Sequence, residues 1–98
     1  MLPLKHRLPL RNQREFFDVA SRRHTRHFVI YFVANDLENA RAAVIVPAKV
    51  VAKATARNKI RRQITSYLFS NIDKLDGDIV IYVKRIFSKE DLKELDNL

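Results

Sequence analysis

Residues 49–68 read KVVAKATARNKIRRQITSYL, and the reading of this stretch decides how the rest of the chain is understood. At about 100° per residue, Arg57, Asn58, Arg61, Arg62 and Thr65 fall in one arc with Lys53 at its edge, whereas Ala56, Ile60, Ile64, Tyr67 and Leu68 fall in the opposite arc. The spacing predicts a helix from about Ala54. One face can pack on a sheet while the other presents guanidinium groups as a fixed array. Arginine suits phosphate because its planar fork makes two parallel charge-assisted hydrogen bonds. A solvated basic face has the same local pattern, so the remainder of the chain has to decide between the two.

The charge is uneven. Residues 1–62 hold fourteen Lys/Arg against four Asp/Glu, a balance of +10, and residues 63–98 hold five against seven, a balance of −2, which together give the net +8 of the 98-residue chain. A basic first two-thirds followed by a slightly acidic end points to a surface that meets a polyanion, nucleic acid or anionic lipid. The apolar arc of the basic helix is modest and interrupted by Thr and Ser, a weak match to a membrane-surface helix. No apolar run approaches the roughly 18 residues of a membrane span, and MLPLKHRLPLR lacks the continuous apolar region of a secretory signal. There is no Cys, hence no disulfide and no thiolate metal site; this fits a reducing compartment. Three Pro and one Gly argue against disorder and against a glycine-rich phosphate loop.

Outward from the helix, residues 1–11 read as a basic extended arm, with Leu8 and Leu10 as anchors. Asn12 to Ser21 predicts a short helix, Asn12 and Glu15 having the form of a capping box. Phe16, Val19 and Ala20 would point inward, with Phe17 beside them; an exposed Phe near basic residues can stack on an unpaired base. Ser21 to His27 reads as a basic turn. Phe28 to Ala34 and Ala42 to Ala48 read as strands, most simply an antiparallel hairpin, with Pro47 at a strand end or edge. Phe28, Ile30 and Phe32 share one face of the first strand, and Val29, Tyr31 and Val33 the other. Asn35 to Ala40 is a polar loop and Asn71 to Gly77 a turn. Asp78 to Val83 is a buried-type strand. Phe87 to Leu98 reads as a final helix, with Ser88 as N-cap, Glu90 and Asp91 in its first turn, and Leu92 and Leu95 as apolar contacts. The order αββαβα gives a small single-domain α+β fold with a sheet packed on helices.

Catalytic chemistry is thinly represented. His24 and His27 lie close in sequence, but no acidic residue stands at ligand spacing from them. Asp73, Asp76 and Asp78 flank Gly77 in ordinary turn composition. What remains is phosphate binding with aromatic interleaving: Phe16 or Phe17, Tyr31, Lys49, Lys53 and the arginine face, the parts that hold single-stranded or structured RNA.

At Lys53-Ala54-x-x-Arg57-Asn58-Lys59-Ile60-Arg61-Arg62 the chain resembles the bacterial ribonuclease P protein family, whose long helix carries a K-A-x-x-R-N-x-x-K-R signature. Leu8 to Val19 is similar to that family's basic arm and first helix, Phe28-Val29-Ile30-Tyr31 to its first strand, and Gly77-Asp78-Ile79-Val80-Ile81 to its last strand. The resemblance implies an α+β fold like domain 2 of a ribosomal small-subunit protein, with a left-handed βαβ crossover. It implies a protein subunit without a catalytic group of its own, in a monomeric state within a cytoplasmic ribonucleoprotein. Its partners would be the ribonuclease P RNA, which cleaves with bound Mg²⁺, and precursor tRNA, whose 5′ leader is removed. The protein alone would bind no cofactor and no membrane. By matched position, Lys53, Arg57, Asn58, Lys59, Arg61 and Arg62 would face RNA. Phe16, Tyr31, Lys49 and Arg57, with Phe17 as a neighbouring aromatic, would line a cleft for the leader. The sequence departs from the family pattern at Ala20, where a second aromatic is usual, and at Val50 and Ala52, where paired Lys are usual. A structural RNA-binding protein of ribosomal accessory type, and an autonomous nuclease using His24 or His27, are the other classes compatible with the charge.

Overall fold

A computed structural model describes residues 4–9, 13–35, 39–72 and 75–96. Helix α1 spans Gln13–Val19, strands β1 to β3 span Ser21–His24, Phe28–Val33 and Arg41–Ile45, helix α2 spans Ala54–Phe69, and β4 spans Asp78–Val83. Short 3₁₀ segments occupy Leu4–His6 and Lys89–Leu95. The strands form one mixed sheet in the order β1-β2-β4-β3.

This order corrects two expectations. The Ser21–His27 stretch is not only a turn: Ser21–His24 pairs antiparallel with β2, Arg22 opposite Tyr31 and His24 opposite Val29. The hairpin closes through Thr25, whose N–H donates to the Phe28 carbonyl (2.8 Å) and whose hydroxyl accepts from the Phe28 N–H (3.1 Å). The second correction concerns β2 and β3, which are not hairpin partners. β4 lies between them, antiparallel to β2 and parallel to β3, so β3-α2-β4 is a βαβ unit. The physical reason is burial on both faces. Phe28–Val33 and Asp78–Val83 are near-continuous apolar runs, suited to the middle of a sheet. Arg41–Ile45 and the polar Ser21–His24 suit its margins.

The two faces have different covers. Toward α2 and the C-terminal 3₁₀ segment, Phe28, Ile30, Ile79, Ile81 and Val83 pack with Ile64, Leu68, Leu92 and Leu95 in one core. Phe28, Ile64 and Ile81 are fully buried, each side chain contributing on the order of 1.5–3 kcal/mol by leaving water. α2 forms because its apolar residues recur at helical spacing and it contains neither Gly nor Pro. It starts at Lys53 without a side-chain cap and ends at Ser70, whose N–H and hydroxyl both donate to the Ser66 carbonyl.

On the other face α1 packs against β2. Val19, expected inward, is 72% exposed; it is Phe17 that meets the sheet, at Tyr31, with Phe16 against Phe17. Of the expected capping box, Asn12 and the Glu15 side chain lie outside the described residues, as do Leu10 and the loop residues 36–38. The final helix is a 3₁₀ segment over Lys89–Leu95 rather than a helix from Phe87. Ser88 is its N-cap and Asp91 completes the capping box: the Ser88 N–H (2.7 Å) and hydroxyl (3.0 Å) both donate to the Asp91 carboxylate.

Ahead of α1, the chain lies along β3. Arg7 bridges Ala42 in parallel sense, and the Leu8 N–H donates to the Ala42 carbonyl (3.0 Å). His6 is buried, with Nδ1 2.7 Å from the Ala40 carbonyl and its ring edge-on to Phe69.

Candidate nucleic-acid interface

α2 separates its roles by face. Ile64 and Leu68 are buried, Ile60 and Tyr67 border the core, and Asn58, Lys59 and Arg62 are exposed. The basic residues form two strips. Along one, Arg57, Asn58, Arg61 and Thr65 follow one another, with Arg61 donating to the Asn58 side-chain oxygen. Along the other, Lys59, Arg62, Gln63 and Ser66 line a shallow open groove. Gln63 and Ser66 were not singled out by the sequence reading. Their signal was available in the 59, 62, 63, 66 spacing, which is that of one helix face. Two cations with an amide and a hydroxyl between them provide the donors that phosphate oxygens accept.

Arg57 does something more local. Its Nη1 donates to the carbonyls of Val51 (3.0 Å) and Ala52 (2.7 Å), bracing the turn that leads into α2. Lys53 is exposed at the helix N-cap, and Lys49 is exposed in the preceding turn.

The aromatic residues meet on the opposite face of the sheet. The Phe17 and Tyr31 rings stand edge-to-face with centroids 4.6 Å apart, and Phe16 meets Phe17 at 5.5 Å. All three are half-buried, which leaves ring surface for a ligand. Phe17 rather than Phe16 touches Tyr31. Strand alternation and register place Arg22, Val80 and Tyr82 on the Tyr31 face, Arg22 and Val80 directly flanking Tyr31. Tyr82 was missed in the sequence, although its alternation with Val80 placed it on one face with that residue. Among the described residues, no ring contact or hydrogen bond joins Lys49 or Arg57 to the Phe17–Tyr31 pair. The structure thus brings Phe16, Phe17 and Tyr31 together and leaves these two cations outside that contact.

The two histidines part company. His24 is exposed on β1, whereas the His27 side chain is 11% exposed and lies between two carboxylates, Nδ1 2.5 Å from Glu94 and Nε2 3.5 Å from Asp91. Sequence spacing gave no sign of this cluster, because the acidic residues come from 64 and 67 positions further along. Its three groups offer ligand atoms within 4.8 Å of one another. Each ring nitrogen faces its own carboxylate, however, and both carboxylates already accept backbone N–H groups, Asp91 from Ser88 and Glu94 from His27. The arrangement is a hydrogen-bonded clamp that holds the 3₁₀ segment to the β1–β2 turn. The Ser88 N–H is the leading cause that keeps Asp91 below its ordinary range. Burial pulls Glu94 upward, but the Thr25 hydroxyl and the His27 N–H groups outweigh it and hold the carboxyl low.

A sheet with a basic helix on one face and an aromatic cluster on the other is the form of a small RNA-binding domain, and comparison with known proteins defines it further. The ribonuclease P family model matches residues 4–97, and the chain belongs to that family. It is 37% identical over 65 residues to the ribonuclease P protein component of Ureaplasma urealyticum, covering 65% of this chain and 55% of that protein. It is 32% identical over 79 residues to that of Chromobacterium violaceum, covering 80% and 65%. The matched stretches thus span little more than half to two-thirds of these relatives. Among solved structures, the RNase P protein of Thermotoga maritima, in complex with 1-(4-fluorophenyl)-2-thiourea, superposes with a TM-score of 0.73 at 28% identity, covering 94% of this chain and 84% of that one. The Staphylococcus aureus protein superposes at 0.81 with 19% identity over 94% and 90%, a likeness of fold. No helix among the described residues is long and apolar enough to cross a membrane.

Proposed function

We infer that the chain acts as a single RNA-binding domain, the protein subunit of ribonuclease P, in the endonucleolytic removal of the 5′ leader from precursor tRNA. The observation that carries this is α2, which buries Ile64 and Leu68 while turning Asn58, Lys59 and Arg62 of the family motif to solvent. Lys53, Arg57, Asn58, Lys59, Arg61 and Arg62 meet the ribonuclease P RNA, and this association weakens with salt through counterion release. The single-stranded leader passes over Phe16, Phe17 and Tyr31, with Lys49 and Arg57 as flanking cations. Holding the leader lowers the entropic cost of presenting the scissile phosphate. Hydrolysis itself belongs to the RNA and its Mg²⁺; the protein supplies binding and position. The subunit is monomeric and cytoplasmic, and the β3-α2-β4 crossover is of the left-handed kind.

The test is cleavage of precursor tRNA at low Mg²⁺ by a bacterial ribonuclease P RNA with and without the protein. Accurate 5′ cleavage that accelerates only with both supports the reading. Tight RNA binding without acceleration by any bacterial RNA overturns it in favour of a structural RNA-binding role.

A further inference from the structure

The helical layer does not cover the whole sheet. α2 contacts β3, and the C-terminal segment reaches the Phe28 end of β2 through Phe87, whose ring centroid lies 5.0 Å from that of Phe28. Beyond Ile30, toward β1, the same face opens. Ile30, Phe32 and Ile79 floor a pocket of about 200 Å³, with Leu75 and Asp76 on one side and the β1 residue Arg23 on the other. Along this row exposure rises from Phe28 at 0% and Ile30 at 4% to Phe32 at 39%. The Phe32 ring rests on Gly77, where an added Cβ would lie 2.7 Å from it. The ring is therefore fixed from one side and open on the other.

We propose that this pocket receives one unstacked nucleobase of an RNA strand, on the sheet face opposite Tyr31. Its volume is below the ~300–1,000 Å³ of pockets for drug-sized ligands and is on the scale of one planar ring system. The apolar floor and the Phe32 ring accept a base by stacking. Arg23, on the Ile30 face of β1, supplies charge for the attached phosphate, and the Asp76 carboxylate accepts from an exocyclic amino group. Asp76 also disfavours an occupant whose own anion would enter the pocket. Adenine, cytosine and guanine carry such an amino group and uracil does not, so the site prefers amino-bearing bases. The proposal rests on the chain's being an RNA-binding subunit and adds a second contact, separate from the Phe17–Tyr31 cluster.

The test follows backbone amide shifts of the intact protein during titration with three oligoribonucleotides: five adenosines, five uridines, and a ribose-phosphate pentamer abasic at every position. Saturable shifts at Phe32, Leu75 and Asp76 are expected with the adenosine pentamer, weaker with uridine and absent with the abasic strand. Phe32→Leu keeps apolar volume but removes the ring, and should weaken these shifts about 5-fold or more. Asp76→Ala, at an exposed position, removes the acceptor and should erase the preference for adenosine over uridine. Equal shifts from the abasic strand overturn the proposal, as do adenosine shifts confined to Phe17, Tyr31 and α2; both leave the RNA-binding reading standing. No shift anywhere with any strand overturns both.

Discussion

Arg41 and Asp78 face each other in register across the parallel β3–β4 pair and are joined by two hydrogen bonds, Nε to Oδ1 at 2.8 Å and Nη2 to Oδ2 at 2.7 Å. Asn35 adds a third bond to Oδ1 at 2.7 Å. Parallel strands separated by a helix have no hairpin turn to set their register, and this fork sets it at the first residue pair.

Asp78→Ala should therefore lower unfolding free energy by about 1–3 kcal/mol, the cost of leaving partly buried donors without their acceptor. Burial alone would raise the Asp78 carboxyl, but the bonds from Arg41 and Asn35 outweigh it and hold the group below its ordinary 3.8. A carboxyl depressed on folding adds stability above 3.8, and that stability is lost as pH falls through the folded value. Urea denaturation of wild type and variant between pH 2 and 6 checks this: the two curves should converge at the acid end.

The clamp around His27 makes a second acid-sensitive point. Glu94 and Asp91 are both held below their ordinary ranges, so their contribution is present near neutrality and lost in acid below about 4. Glu94→Gln should speed amide exchange across Lys89–Leu95 at pH 6, with little change in the exchange of Ile79–Val83. Equal acceleration in both segments would show that the contact is not local.

Gly77 has φ +80°, and a Cβ there would stand 2.8 Å from the Val33 carbonyl as well as against Phe32. Gly77→Ala combines backbone strain in the left-handed region with a steric conflict. It should cost more than about 1 kcal/mol, read as a lower denaturation midpoint.

On α2, Lys59→Ala with Arg62→Ala removes two exposed charges. It should leave thermal stability within about 0.5 kcal/mol while reducing the slope of log affinity against log salt for RNA by roughly 1–2. Arg57→Ala should behave differently: because Arg57 braces the Val51 and Ala52 carbonyls, it should lower stability as well as affinity.

The contrast between α2 and the sheet shows what the chain discloses locally. The helix and its two faces were legible because Ile60, Ile64 and Leu68 recur at helical spacing. Strand β1 was not, because SRRH carries no apolar residue and is a strand only through its pairing with β2. The place of β4 between β2 and β3 joins segments some fifty residues apart, and no local pattern states it. The apolar character of both its faces was the available hint. At the aromatic cluster, the Phe16–Phe17 pair announced a contact, but only packing decided which ring meets Tyr31. The His27–Glu94 contact lies wholly beyond local reading.

The segment from Arg7 to Leu8 that lies along β3 has a further consequence. It occupies hydrogen-bonding groups on the outer margin of the sheet, and the opposite margin is Ser21-Arg22-Arg23-His24, exposed throughout. Neither border is an apolar template for strand addition, and a second molecule approaching β1 would bring arginine against arginine. A newly made chain can thus remain dispersed, without aggregating edge to edge, until a polyanion neutralises it.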